Sequence, residues 1–181
     1  ERLFETPSIA ANSATTVTCA MAEISCDALK KSILMFENYD PKIAEEVRNL
    51  EGKADVYEDS VGSYLVKLSS CDMTHQDSVQ ITKLLHIIGD FERISDHAVN
   101  IVESAEEMKD KKLSFSAEAT KELAVLSRAV HDIIDLTCEA FVKNDVALAE
   151  QIEPLEEVVD DLRDKIKLNH VLRLQKSECS I

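Results

Sequence analysis

The chain is 181 residues long, carries 35 Asp and Glu against 20 Lys and Arg for a formal net charge of -15, and has only 4% aromatic residues. That charge excludes nucleic acid and an anionic membrane surface as partners, since both would repel it, and leaves cations and basic proteins. Three glycines and three prolines among abundant Ala, Leu, Glu, Asp, Val and Ile predict an all-α protein long enough to bury a real core.

Thr6-Pro7 reads as a helix start, with proline in the first turn. The first helix is expected to reach about Glu37 and to place Val17, Met21, Ile24, Ala28 and Met35 on its buried face. Asp40-Pro41 repeats the start signal and opens a second helix to about Ser69. Its apolar stripe is Ile43, Val47, Leu50, Ala54, Tyr57, Val61 and Leu68, and beside it lie Glu51, Asp55, Glu58 and Asp59. After a polar break at 70–74, Thr74 and Asp77 can form an acidic variant of a capping box at the head of a third helix.

That third helix interrupts its own apolar face with acid. Ile81, Leu84, Ile88, Phe91 and Val102 recur at helical spacing, and one step round lies a row of Leu85, Glu92, Asp96 and Val99. Two carboxylates on a row expected to be at least partly buried need a cation, a metal or a proton, because burying bare carboxylate is costly. The plainer reading, a solvated edge of an amphipathic helix, stays open at this point.

Beyond the break at 109–112, Ser116 can cap a fourth helix with Leu123, Leu126, Val130, Ile133 and Phe141. Asn144-Asp145 opens a fifth, carrying Leu148, Ile152, Leu155, Val159, Leu162 and Ile166. Five long helices with short connections predict a bundle of antiparallel neighbours. The chain also repeats itself. A slide of about 105 residues puts Phe36 on Phe141, Asp40 on Asp145, Ala44 on Ala149, Glu45 on Glu150, Leu50 on Leu155, Glu51 on Glu156, Asp55 on Asp160 and Asp59 on Asp164. Residues 1–112 then form one three-helix repeat and 113–181 a second with two helices, the copy of the Glu92/Asp96 helix falling after Ile181. A fragment of a longer protein, or a homodimer in which a partner completes the second repeat, is the expectation.

Acids four apart on a helix project from one side with Cβ atoms about 6 Å apart. Glu51, Asp55 and Asp59 opposite Glu92 and Asp96 would make a carboxylate box, and Asn100 can add an amide oxygen. Hard cations such as Mg²⁺, Mn²⁺ and iron favour oxygen ligands, whereas zinc wants His or Cys among them. Gly52, Gly62 and Gly89 all lie inside helices near these acids, at roughly 1 kcal/mol each relative to Ala, which suggests a close approach of backbones. His97 is expected to pack or to support a ligand from behind. His131 and Asp135, four apart, read as a hydrogen-bonded histidine. Cys19, Cys26, Cys71, Cys138 and Cys179 include no CxxC pair and read as reduced, half-buried thiols of a cytosolic protein. No signal peptide is visible and no apolar run approaches a membrane span.

No Gly-rich phosphate loop, nucleophile elbow or Glu-x-x-His motif accompanies the acids, so an enzyme is not expected. A ferritin-like carboxylate metalloenzyme and a purely structural helical adaptor are the competing readings.

The string Gly-Asp-Phe-Glu-Arg-Ile-Ser-Asp-His-Ala-Val-Asn at 89–100 resembles the signature helix of the PhoU family of phosphate-signalling proteins, which reads close to ERIGDHAxNI. Ser95 stands where the family has glycine, which is expected to loosen the helix approach a little. The opening Glu-Arg-Leu-Phe-Glu-Thr-Pro-Ser-Ile-Ala resembles the junction after the membrane part of bacterial sodium/phosphate cotransporters that carry a C-terminal PhoU-like domain. The resemblance implies a cytoplasmic, non-enzymatic regulator of phosphate uptake, either attached to such a cotransporter or standing alone as a negative regulator. It further implies two pseudo-symmetric three-helix bundles that bind iron, or alternatively manganese, magnesium or zinc. The partners it implies are a phosphate transporter and a sensor kinase. Its metal motifs fall on Glu51/Asp55, Glu92/Asp96 and Glu156/Asp160, with Asp59 and Asp164 extending them by a turn.

Overall fold

The structure, a computed structural model, describes residues 6–176, and all its regular elements are helical. The helices are α1 (Pro7–Ile33), α2 (Pro41–Ser69), α3 (His75–Asp110), α4 (Ala117–Lys143), the one-turn α5 (Val146–Ala149) and α6 (Ile152–Gln175), with a 3-10 turn at Leu34–Phe36 closing α1. They form two compact units, Glu1–Ala105 and Glu106–Ile181. No described helix is long and apolar enough to cross a membrane.

In the first unit α1 is the inner helix. It buries Ala10, Ala11, Ala14, Thr18, Met21, Ala22, Ser25, Cys26, Ala28, Leu29, Ser32 and Ile33, a wide face made mostly of small residues. Thr18 and Ser32 reconcile their hydroxyls with burial by donating to the carbonyls of Ala14 and Leu29. The expected stripe was only partly right: Met21, Ala28 and Met35 are buried, Ile24 is half-buried and Val17 is exposed. A scan for large aliphatics pulls the predicted face toward Val17, whereas a helix flanked on both sides is selected for small side chains that admit its neighbours. Thr6 is the N-cap by position, yet its side chain makes no capping bond. Its carbonyl instead accepts from Ile9 and Ala10.

The start of α2 follows its signal, with Pro41 in the first turn and the Asp40 carboxylate accepting from Lys42 N at 2.8 Å. Val47, Ala54, Val61 and Leu68 of its stripe are buried, with Ile43, Leu50 and Tyr57 half-buried. Lys31 of α1 ties the two helices at the polar edge, reaching Glu46 at 3.4 Å while held by Asp27 at 2.6 Å.

The head of α3 is fixed from two sides. Thr74 Oγ1 accepts from Asp77 N at 3.2 Å and donates to Asp77 Oδ2 at 2.8 Å, and Ser8 of α1 donates to the same oxygen at 3.0 Å. One turn on, Gln80 donates to Thr15 at 2.9 Å. The far end of α3 closes through Lys112 in the left-handed region at φ 53°, with Leu113 N bonded to Met108 O and Lys112 N to Lys109 O.

In the second unit Ser116 caps α4 by accepting from Ala119 N, and Asn144 closes it at φ 50° through the same pair of bonds. Asp145 then accepts from Leu148 N at 3.1 Å, so the two residues that the 105-residue repeat equates, Asp40 and Asp145, both cap helices. The expected fifth helix is divided. Its first turn is α5, and the helix resumes at Ile152 after a break at 150–151 that α2 does not have. Glu122 of α4 is gripped by Asn169 at 2.8 Å and Arg173 at 2.9 Å from α6. The apolar stripes of both helices are half-buried, and Ala140 is the one fully covered position among the described residues of α4 to α6.

Cys26 is buried and Cys19, Cys71 and Cys138 are half-buried, while Cys179 lies outside the described residues. The glycine expectation fails at two of three positions. A Cβ at Gly52 or Gly89 would meet open space, and only at Gly62 would it touch a neighbour, Ile88 of α3 at 3.4 Å.

Hydrogen bonds from Thr74 and Ser8 hold the Asp77 carboxyl below the usual carboxylate range. A depressed folded-state value adds stability that is present above the unfolded value and is lost as pH falls through the folded one. Wild type should therefore lose melting temperature faster than Asp77→Asn on acidification below about pH 4. Parallel acid titrations of the melting temperature check this, and parallel curves for the two proteins would contradict it.

Candidate metal centre

The acids of α2 and α3 face one another within the first unit. One oxygen from each of Glu51, Asp55 and Asp96 lies within 4.8 Å of the others. Two oxygens bound on opposite sides of one hard cation stand roughly 4–5 Å apart, so this all-oxygen set fits a single such ion without rearranging the helices. Glu51 is half-buried, whereas Asp55 and Asp96 are exposed. The row on α3 is accordingly less buried than its apolar neighbours predict, because Asp96 points to the solvent edge of the groove while Glu92 sits half inside it.

Burial pushes the Glu51 carboxyl above the usual range, and the charges of Asp55 and Asp96 add to that. Glu92 is raised in the same way, by burial first, then by the charges of Asp96, Asp55 and Glu58 and a hydrogen bond shared with Asp96. Arg93, adjacent in sequence, turns outward to pair with Asp90 at 2.7 Å. Behind the row, Ser95 is wholly buried, and its hydroxyl donates to the Glu92 carbonyl at 2.7 Å. The serine that replaces the family's glycine is thus accommodated by a bond back into its own helix.

Of the remaining residues expected here, Asp59 and Asn100 are exposed one turn beyond the cluster. Asp59 lies outside the group of three, and the Asn100 carbonyl accepts from Ser104 at 2.8 Å. His97 is exposed rather than packed. His131 pairs with Asp135 at 3.2 Å on the surface of α4. Glu58 belongs to the acidic field in a way the expected ligand set omits. Its i+7 spacing from Glu51 and i+3 from Asp55 is the signal that places it on their side of α2, where Asp59 is a step further round.

The second unit's row has a different setting. Glu156 and Asp164 are exposed and Asp160 is half-buried on α6. Arg163, on the same helix, donates from Nη1 to Asp160 and from Nε to Asp164, the latter at 3.1 Å. The hydrogen bond from Arg163 holds the Asp164 carboxyl below its usual range, opposite in direction to Glu51 and Glu92.

The PhoU domain family model matches residues 18–105 and again 123–180, the two segments starting one 105-residue step apart. A phosphate-specific transport system accessory protein, PhoU homolog 1 of Thermotoga maritima, is 30% identical over 100 residues, which cover 55% of this chain and 42% of that protein. The corresponding PhoU homolog of Xylella fastidiosa is 30% identical over 88 residues, 47% of this chain and 35% of that protein. The matches thus span less than half the length of these relatives. No solved structure matches the chain.

A carboxyl raised in the folded state makes stability fall as pH rises through the window between its unfolded and folded values, since the native state binds more protons there. In chelated buffer, Glu51→Gln should therefore melt higher than wild type at pH 7. The advantage should shrink on acidification below the usual carboxylate range. A variant that melts no higher than wild type at pH 7 would show that Glu51 carries no such strain.

Proposed function

The chain belongs to the PhoU domain family, and from that premise we propose that it is a metal-dependent regulatory domain of phosphate transport, without enzymatic activity of its own. The observation that carries the reading is the convergence of Glu51, Asp55 and Asp96 across the α2/α3 groove, with half-buried Glu92 beside them and with burial, then neighbouring acidic charge, raising Glu51 and Glu92. These three residues would hold a metal ion, iron first, with manganese, magnesium or zinc as alternatives. A bound cation of that kind supplies the positive charge that the groove lacks.

The residues of this chain do the rest. With their carboxylates neutralised, Glu51, Asp55 and Asp96 hold α2 and α3 together at the acidic end. Burial of Ile88 and the Asp77 latch secure α3 elsewhere along its length. With the carboxylates bare, mutual repulsion favours separation at that end alone, and a partner can read the difference. The relatives, both named as accessory proteins of a phosphate-specific transport system, support a stand-alone regulator, which we place on the cytoplasmic side. The opening string 1–10 supports attachment to a sodium/phosphate cotransporter, and either form makes the transporter the partner, with a sensor kinase as a further one.

The reading is tested by phosphate uptake in cells carrying the transporter and either wild type or Glu51→Gln/Asp55→Asn/Asp96→Asn. Wild type should curb uptake when phosphate is abundant, and the folded triple variant should fail to do so. Equal control by both proteins would overturn the role of the groove.

A further inference from the structure

The 105-residue step that equates the two acid rows preserves three of their members and inverts one. Glu51, Asp55 and Asp59 become Glu156, Asp160 and Asp164, but Glu58 becomes Arg163. In the first unit Glu58 adds negative charge to the field on Glu92. In the second, the guanidinium at that position lies between the two aspartates that flank it and donates to both. One position thus changes by two units of charge between otherwise matching rows.

We propose that Arg163 is a resident cation that stands in for metal on the second acid row, so that the chain has one metal-responsive row, on α2 and α3, and one neutralised by its own helix. This rests on the reading of the first row as a metal site. Three features of the arrangement support it. Arg163 occupies one oxygen of each of Asp160 and Asp164, so a metal would have to share or displace those contacts. A guanidinium does not deprotonate, so raising the pH does not release those oxygens. A divalent ion seated on the same oxygens would also have to displace a positive charge or sit beside it. The pairs themselves are surface ion pairs, worth little to stability, so the consequence of Arg163 is selectivity for what binds rather than strength of the fold. The account also gives a physical meaning to the opposite environments of the two rows, one accumulating negative charge and the other cancelling it.

The test is a Mn²⁺ titration of the full chain, with free ion followed by its electron paramagnetic resonance signal. Four proteins are compared: wild type, the first-row variant Glu51→Gln/Asp55→Asn/Asp96→Asn, and that variant carrying Arg163→Gln or Arg163→Glu. The first-row variant should show no tight binding, and Arg163→Glu in its background should bind at least about tenfold more tightly, with Arg163→Gln between them. Circular dichroism confirms that each variant folds. The proposal is overturned if the first-row variant keeps wild-type affinity, because the second row would then bind despite Arg163. It is equally overturned if reversing the charge leaves affinity unchanged. A wild type that binds no Mn²⁺ would count against the first row as a metal site while leaving the comparison at Arg163 readable.

Discussion

The feature on which the rest depends is a concentration of like charge in a half-buried groove. Glu51, Asp55, Glu58, Glu92 and Asp96 are brought together by two helices that pack for other reasons, and burial compounds their repulsion. A fold bearing such a groove is under an electrostatic load that can be relieved by protons or by a cation. That makes the α2/α3 groove the part of the first unit whose stability responds to its surroundings. The face of α1 against its neighbours is made instead of small buried residues, and Thr18 and Ser32 bond back into their own helix.

Two carboxylates of the first unit illustrate opposite uses of the same group. Asp77 is almost covered yet held in its charged form by hydrogen bonds donated by Thr74 and Ser8, so it is a fixed joint between α1 and α3. Glu92, on the same helix, has company of its own sign and one shared hydrogen bond, so it is a variable one. The difference is set by hydrogen-bond donors at Asp77 and by burial and like charge at Glu92, and it places the rigid and the responsive ends of α3 at different points along one continuous helix.

Much of this was legible in the residues. Asp40-Pro41, Ser116, Asp145 and the Thr74/Asp77 pair announce helix starts because a side-chain acceptor near a helix N-terminus satisfies otherwise unpaired backbone donors, a local chemistry that survives without tertiary context. Acids at i and i+4 are equally local, and their meeting across α2 and α3 follows from those helices being antiparallel neighbours. What escaped is what depends on neighbours. Val17 was favoured over Thr18 and Ser25 because pattern rewards large aliphatics, whereas an inner helix is filled by small residues. Gly52 and Gly89 gave no sign that they face open space. The break at 150–151 and the choice of Glu58 over Asp59 turn on small differences in helical phase. Arg163 was visible in the sequence all along, but its importance appears only when its two ion pairs are set beside the position of Glu58.

The two rows together describe a chain in which one repeated spacing carries two different charge patterns. The central claim is that the first row is completed by a cation. It is tested most directly by elemental analysis of the full chain purified without chelator, with thermal melts before and after EDTA treatment. The account predicts iron or manganese at about one equivalent per chain and a melting temperature that falls when the ion is stripped. A metal-free protein whose melts are identical with and without chelator would contradict it and return Glu51, Asp55 and Asp96 to an ordinary solvated edge.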